Sequence, residues 1–205
     1  MIRIGVLVGA KGRGSNLMAI LNAINDGIVT GQVAVVIGSL KGAPALDAAT
    51  AAGIETVVVG TANRTDDEYA EVLLRVITKR DIDLIVLAGY MRRLPDALTS
   101  RFAGRIINIH PSLLPDFGGH GMYGRNVHQA VKAAGVTETG CTVHVVDNEY
   151  DHGPVVAQRR VIVNADDTVD DIATRVLGAE HSLLVDVIAE ICSGQRSLPL
   201  AQQQR

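Results

Sequence analysis

Along the first half of the chain, short β-branched runs alternate with longer stretches whose apolar residues recur every three to four positions. "IRIGVLV" (2–8) precedes "SNLMAILNAI" (15–24), "QVAVVIGS" (32–39) precedes "APALDAATAAG" (43–53), and "ETVVV" (55–59) precedes "DDEYAEVLLRVITKR" (66–80). In each pair the first stretch predicts a strand and the second a helix. "DLIVLAG" (83–89) and "RIINIH" (105–110) continue the strand series. These runs are apolar on both sides of the alternation, as a parallel sheet covered by helices on both faces requires. The expected fold class is α/β, an open, doubly wound, mostly parallel sheet. Beyond residue 124 the pattern predicts a helix near 126–134, strands at 141–146 and 154–163 around a polar loop, and a helix near 168–192. Mixed strands are therefore expected in the C-terminal half. No internal repeat or Pro/Gly/Ser-rich linker divides the chain, so residues 1–192 predict one domain and residues 193–205 a frayed tail.

Composition narrows the function classes. A chain of 205 residues with a net charge of −3 carries no general attraction for nucleic acid or an anionic membrane. Any anion must be held locally. No apolar run is long enough to span a bilayer, and the glycine-rich opening is unlike a secretory signal, so a cytoplasmic location is expected. Cys141 and Cys192 stand far apart with no further cysteines, which argues against a zinc site or a disulfide framework and for two buried, small apolar residues.

Polar residues inside the apolar pattern mark candidate chemistry. In "RIINIHPSLLP" (105–115) an extended strand puts Ile106, Asn108 and His110 on one face and Ile107 and Ile109 on the other. Pro111 halts the ladder, so His110 marks the strand's carboxyl end, the end that faces the ligand crevice in open parallel sheets. An unpaired buried amide or imidazole costs about 1–3 kcal/mol, so both groups need partners or a substrate. Core pairing with the backbone is the alternative.

Four other stretches stand out. "GAKGRGSNL" (9–17) follows a strand and opens a helix, with Ser15 as the expected N-cap, and is a candidate anion site built from backbone N–H groups and the helix dipole, a tight turn without a ligand being the alternative. It is neither a Walker A loop nor G-x-G-x-x-G. "LAGYMRRLPDAL" (87–98) presents Met91, Arg92, Arg93 and Leu94 at another strand end, a mixture suited to a flat, carboxylated ligand. Arg93 as a surface residue capping the next helix is the plainer reading. In "VVDNEYDHGPVV" (145–156), Gly153 and Pro154 make a rigid corner that can hold Asp151 inward. Glu180 and His181, at the apolar start of a helical face, are expected at the surface.

Taken in order, "GSNL", "AGYMRRL", "NIHPSLLP" and "DHGPVVAQ" resemble the folate-dependent formyltransferase family over most of the chain. The resemblance implies that a formyl group passes from 10-formyltetrahydrofolate to the amino group of glycinamide ribonucleotide in purine biosynthesis, without a metal. It implies substrate phosphate on Gly14, Ser15 and Asn16, with Lys11 and Arg13 adding charge, and Glu180 at the glycinamide end. The folate is implied against Met91, Arg92, Arg93, Leu94, Val146, Asp147 and Asp151, with Arg64 as a candidate for its tail. Asn108, His110 and Asp151 become the catalytic trio, with His144 as a neighbour. Asn108 and protonated His110 are expected to donate to the developing oxyanion, while Asp151 favours the imidazolium and takes up the amine proton. Where the family usually has a small residue after this aspartate, the chain has His152. Partners are expected to be small molecules, with a homodimer left open. The competing readings are a sugar-nucleotide N-formyltransferase and, from a different class, an NADP-binding module using Ser39 and Lys41.

Overall fold

Strand β1 (Arg3–Val8) lies at the centre of a seven-stranded sheet, with β2 (Gln32–Gly38) on one side and β4 (Leu84–Ala88) on the other. The order is β3-β2-β1-β4-β5-β6-β7, where β3 is Thr56–Val58, β5 Ile106–His110, β6 Glu138–Val145 and β7 Val155–Ile162. The strands from β3 to β5 are all parallel, whereas β6 runs antiparallel to β5 and β7 antiparallel to β6. This computed structural model describes residues 1–10 and 12–199; Lys11 and the last residues of the expected tail, 200–205, lie outside the described residues. The doubly wound, mostly parallel sheet with mixed strands late in the chain is the architecture expected from the hydrophobic pattern.

Alternation along the strands feeds two core layers. Ile4, Val6, Val8, Ile107 and Ile109 join one layer, covered by α1 (Ser15–Asn25), α2 (Pro44–Ala51) and α6 (Val169–Cys192). Leu7, Ile85, Leu87 and Ile106 join the other, covered by α3 (Asp66–Thr78) and α4 (Asp96–Arg101). In α3, Leu73 and Ile77 lie one turn apart and are fully buried, each contributing about 1.5–3 kcal/mol of transfer free energy. Capping boxes, Thr65 with Glu68 and Thr168 with Asp171, fix where α3 and α6 begin. Helix α5 (Arg125–Ala134) buries Val127 and Val131. Among the described residues no helix is long and apolar enough to cross a membrane.

Several local expectations are corrected. The N-cap of α1 is Gly14, not Ser15, because the backbone there has φ 79 and a Cβ would stand 2.9 Å from that of Ala45. Strand β6 starts at Glu138, three residues before the apolar run, since Thr139 and Gly140 already pair with β7. Cys192 is only half-buried, unlike Cys141. The stretch after α6 is held as far as Leu198, which packs against the core, while Arg196 Nη1 donates to the Val156 carbonyl at 2.8 Å.

Candidate active site

The chain reverses winding direction beside β1, so the carboxyl ends of β1 and β4 open a crevice between them. Their exits are pressed together: a Cβ on Gly9 would sit 2.2 Å from the Gly89 carbonyl oxygen. The crevice widens into a cleft of about 1160 Å³ that runs from the start of α1, past the end of β5, to the loop after β6.

Asn108 and His110 enter the cleft from one face of β5. Antiparallel pairing sets Asn108 opposite His144 and His110 opposite Thr142. The Asn108 Nδ2–H donates to His144 Nε2 at 3.0 Å, and His144 Nδ1 donates to the Val145 carbonyl at 3.0 Å. Asn108 Nδ2 keeps its second hydrogen for a ligand. Both ring nitrogens of His110 face acceptors: Nε2 lies 2.9 Å from the Phe117 carbonyl oxygen and Nδ1 3.3 Å from Asp151 Oδ1. A proton on each nitrogen satisfies both contacts. The turn after His110 is fixed from β6, where the Thr142 hydroxyl donates to the Ser112 carbonyl and accepts the Leu114 N–H at 3.0 Å.

Asp151 arrives from the corner between β6 and β7, with φ 54. Gly153 lets that corner close, since a Cβ there would stand 1.9 Å from the Val145 carbonyl oxygen. The carboxylate takes the Gly119 N–H on Oδ2 at 3.0 Å, while Oδ1 lies 3.6 Å from His144 Nε2. Burial pushes this carboxyl up, but hydrogen bonding with the His110 ring and the Gly119 N–H outweighs it and holds the group well below the usual carboxylate range. Asn108, His110, His144 and Asp151 are thus brought to one point on the cleft wall.

Glu180 is buried rather than exposed, because its turn of α6 faces the end of the sheet beside α1. Asn16 Nδ2 donates to its Oε2 at 2.8 Å, leaving Asn16 Oδ1 buried without a partner among the described residues. Burial raises the Glu180 carboxyl, with Asn16 and His110 opposing. The first turn of α1 contains no acidic residue, so its N-terminal N–H groups present an uncompensated positive end. Asn16, Gly12 and Ser39 line the cleft there.

Met91, Arg92, Arg93, Leu94, Val146 and Asp147 line its opposite end. Arg92 stacks over the Tyr69 ring, 5.0 Å from its centroid, and pairs with Asp66 at 2.5 Å. Arg93 pairs with Asp96 in the first turn of α4 and donates to the Asn148 carbonyl at 3.1 Å, so its head joins two loops. Arg64 is exposed, donates to the Gly60 carbonyl and is not part of the lining. Spacing along the chain does not single out the Tyr69–Tyr90 hydroxyl pair at 2.5 Å, the buried, cleft-lining His128, or Thr142. Thr142 had a signal, because it shares the alternation of His144 along β6. Among the described residues, no group of three or more His, Cys, Asp or Glu side chains is arranged to hold a metal ion.

Comparison with known proteins places this geometry in context. A family model described as formyl transferase matches residues 3–188. The chain is 41% identical over 187 residues to phosphoribosylglycinamide formyltransferase, chloroplastic, of Arabidopsis thaliana, covering 90% of this chain and 64% of the plant protein. It thus spans just under two thirds of that relative's length. It is 38% identical over 191 residues to phosphoribosylglycinamide formyltransferase of Escherichia coli (strain K12), covering 93% of this chain and 88% of the other. Among solved structures, glycinamide ribonucleotide transformylase 1 from Symbiobacterium toebii superposes with a TM-score of 0.88 at 36% identity, over 98% of this chain and 95% of that one.

Proposed function

The chain belongs to the formyl transferase family, and we propose that it transfers the formyl group of 10-formyltetrahydrofolate to the amino group of glycinamide ribonucleotide, a step of purine biosynthesis. The observation that carries this reading is the convergence of Asn108, His110, His144 and Asp151 at the end of β5, inside one continuous cleft.

The folate supplies an electrophilic formyl carbon; attack by the amine develops negative charge on the formyl oxygen and leaves a proton to be lost from nitrogen. The residues present fit such a ligand. Leu94 and Val146 give the folate end an apolar wall, and Arg92 lies beyond it for a carboxylate. At the other end the unpartnered Asn16 Oδ1 and the bare N-terminus of α1 suit a polar, phosphorylated acceptor. Gly14, Ser15 and Asn16 hold that phosphate, and Glu180 meets the amine-bearing arm. Asn108 offers its free Nδ2–H to the formyl oxygen. His110 offers Nε2–H by exchanging the Phe117 carbonyl for that oxygen, while Asp151 Oδ1 faces Nδ1. A preorganised donor of this kind lowers a barrier by about 3–4 kcal/mol. Asp151, held ionised by its neighbours, accepts the amine proton directly or through water.

The same reading makes this a cytoplasmic enzyme acting on two small molecules, with no nucleic acid or membrane partner. The test mixes the protein with 10-formyltetrahydrofolate and glycinamide ribonucleotide, then with a sugar nucleotide bearing a free amine. Deformylation driven by the first acceptor is expected. Turnover only with the sugar nucleotide, or with neither, would discard the assignment.

A further inference from the structure

The corner that carries Asp151 holds a second titratable pair that the reaction, as read above, leaves unused. His152 Nδ1 lies 2.8 Å from Asp147 Oδ2, and the other oxygen of the same carboxylate accepts the Glu149 N–H at 2.9 Å. One side chain therefore ties both ends of the turn 147–152. The partners differ in setting: the Asp147 side chain is 13% exposed and that of His152 is 52% exposed, so the inner group is fixed and the outer one reaches across it.

Within the turn this is the one contact that spans residues 147 and 152. Asp151 has anchors of its own in His110 and the Gly119 N–H. Residues 147–150, of which Asp147, Glu149 and Tyr150 line the cleft, are also held from α4, where the buried Thr99 hydroxyl donates to Asn148 Oδ1, by the edge of the His120 ring against Tyr150, and by exposed contacts to the segment after β4. There the Arg93 N–H donates to the Tyr150 hydroxyl at 3.0 Å and the Arg93 guanidinium to the Asn148 carbonyl.

We propose that His152 is a positioning residue for the folate end of the cleft: by donating Nδ1–H to Asp147 it clasps the turn 147–152 and sets the affinity for the folate cosubstrate. The inference rests on the formyl-transfer reading. Among the described residues, the charged groups acting on the imidazole are Asp147 and Glu149, both of its own turn. The hydrogen bond to Asp147, then the charge of Asp147 and more weakly that of Glu149, raise the ring above the usual histidine value, against a small opposing effect of burial. The clasp is an ion pair below that raised value and weakens as pH climbs through it. Because His152 is more than half exposed, solvent screening confines the change in affinity to about two- to fivefold.

Wild type is compared with H152N, whose amide nitrogen stands where Nδ1 stands but does not titrate, and with H152A. The wild-type KM for 10-formyltetrahydrofolate is expected to rise about two- to fivefold between about pH 6 and about pH 8.5. H152N, which donates without a charge, has a KM that does not change with pH and matches that of wild type at about pH 8.5, and H152A has a KM at least as high throughout, with kcat within about twofold in all three because Asp151 is anchored separately. NMR of the His152 ring follows the clasp without turnover, and its titration midpoint is expected to fall in D147N. An H152A profile that overlays wild type, an H152N enzyme whose KM varies with pH as that of wild type does, or a midpoint unchanged in D147N overturns the clasp. If the wild-type protein transfers no formyl group, the functional reading fails instead, and the NMR titration still decides the clasp.

Discussion

Replacing Asp151 by Asn removes one charge from the site while keeping the side chain's shape. Asparagine enters the left-handed backbone region readily, so φ 54 at this position is retained. The lost interaction can be sized from the geometry. At 3.3 Å and an effective dielectric of about 20, a carboxylate attracts an imidazolium by about 5 kcal/mol before desolvation is subtracted. Burial of the carboxylate offsets part of that, leaving about 3–4 kcal/mol for the reaction, or roughly a 100- to 1,000-fold loss in kcat. The assay is folate deformylation with both substrates saturating, alongside circular dichroism to verify the fold. The charge also bears on stability. Because its folded pKa is depressed, the ionised group's contribution is present above the unfolded value of about 3.9 and is lost as pH falls through the folded one. Wild type should therefore exceed D151N in stability at about pH 5, the margin falling away as pH drops toward the folded value, and kcat should show no acid limb from Asp151 between about pH 5 and about pH 8. A D151N enzyme whose kcat stays within about tenfold of wild type would refute the proton-accepting role.

Three further substitutions probe the remaining parts of the site. N108A should lower kcat by about 100-fold or more while leaving both KM values within a few-fold, as steady-state kinetics would reveal; movement of KM alone would make Asn108 a binding residue. Burial raises the Glu180 carboxyl, so the folded state loses stability as pH climbs from the ordinary value of 4.5 through the raised one. E180Q removes that loss, and thermal melts at pH 7.5 should show a gain of about 2–4 °C in Tm that shrinks toward pH 4. G153A drives a Cβ to 1.9 Å from the Val145 carbonyl oxygen, and urea unfolding should register a loss of about 2–4 kcal/mol.

The parallel half of the sheet was legible because its strands are buried on both faces and their helices have full amphipathic periods. Helix α4 had no readable bounds, since a six-residue helix makes too little of a period to see. The start of β6 was hidden by "ETG", where no apolar run exists: Gly140 is there because a Cβ would meet the Arg159 carbonyl oxygen at 2.1 Å. Asn108 and His110 were readable for a local reason, two polar groups on one face of a strand that a proline ends. Glu180 was misjudged because helical periodicity identifies a face without saying what covers it, and the cover here is Asn16, 164 residues away in the chain.

The relation among His144, Asp151 and the β5 pair depends on information of another kind. It is created by strand register, which opposes Asn108 to His144 and His110 to Thr142. Cys141 and Val143 alternate with these residues and sit in the core layer under α1 and α6. Slipping β6 by one residue would therefore set Val143 against Asn108 and turn both His144 and Thr142 toward that core. The ladder between β6 and β7 breaks step at Val143/His144, next to the site, and such irregularities re-aim a side chain. The corner at Gly153 then closes on the Val145 carbonyl and brings Asp151 back beside His144. Each half of the site can be found along the chain, but the distance between the halves is set by hydrogen-bond pairing across the sheet. A substitution that shifts this register would disable the site while leaving each of its functional side chains in the sequence.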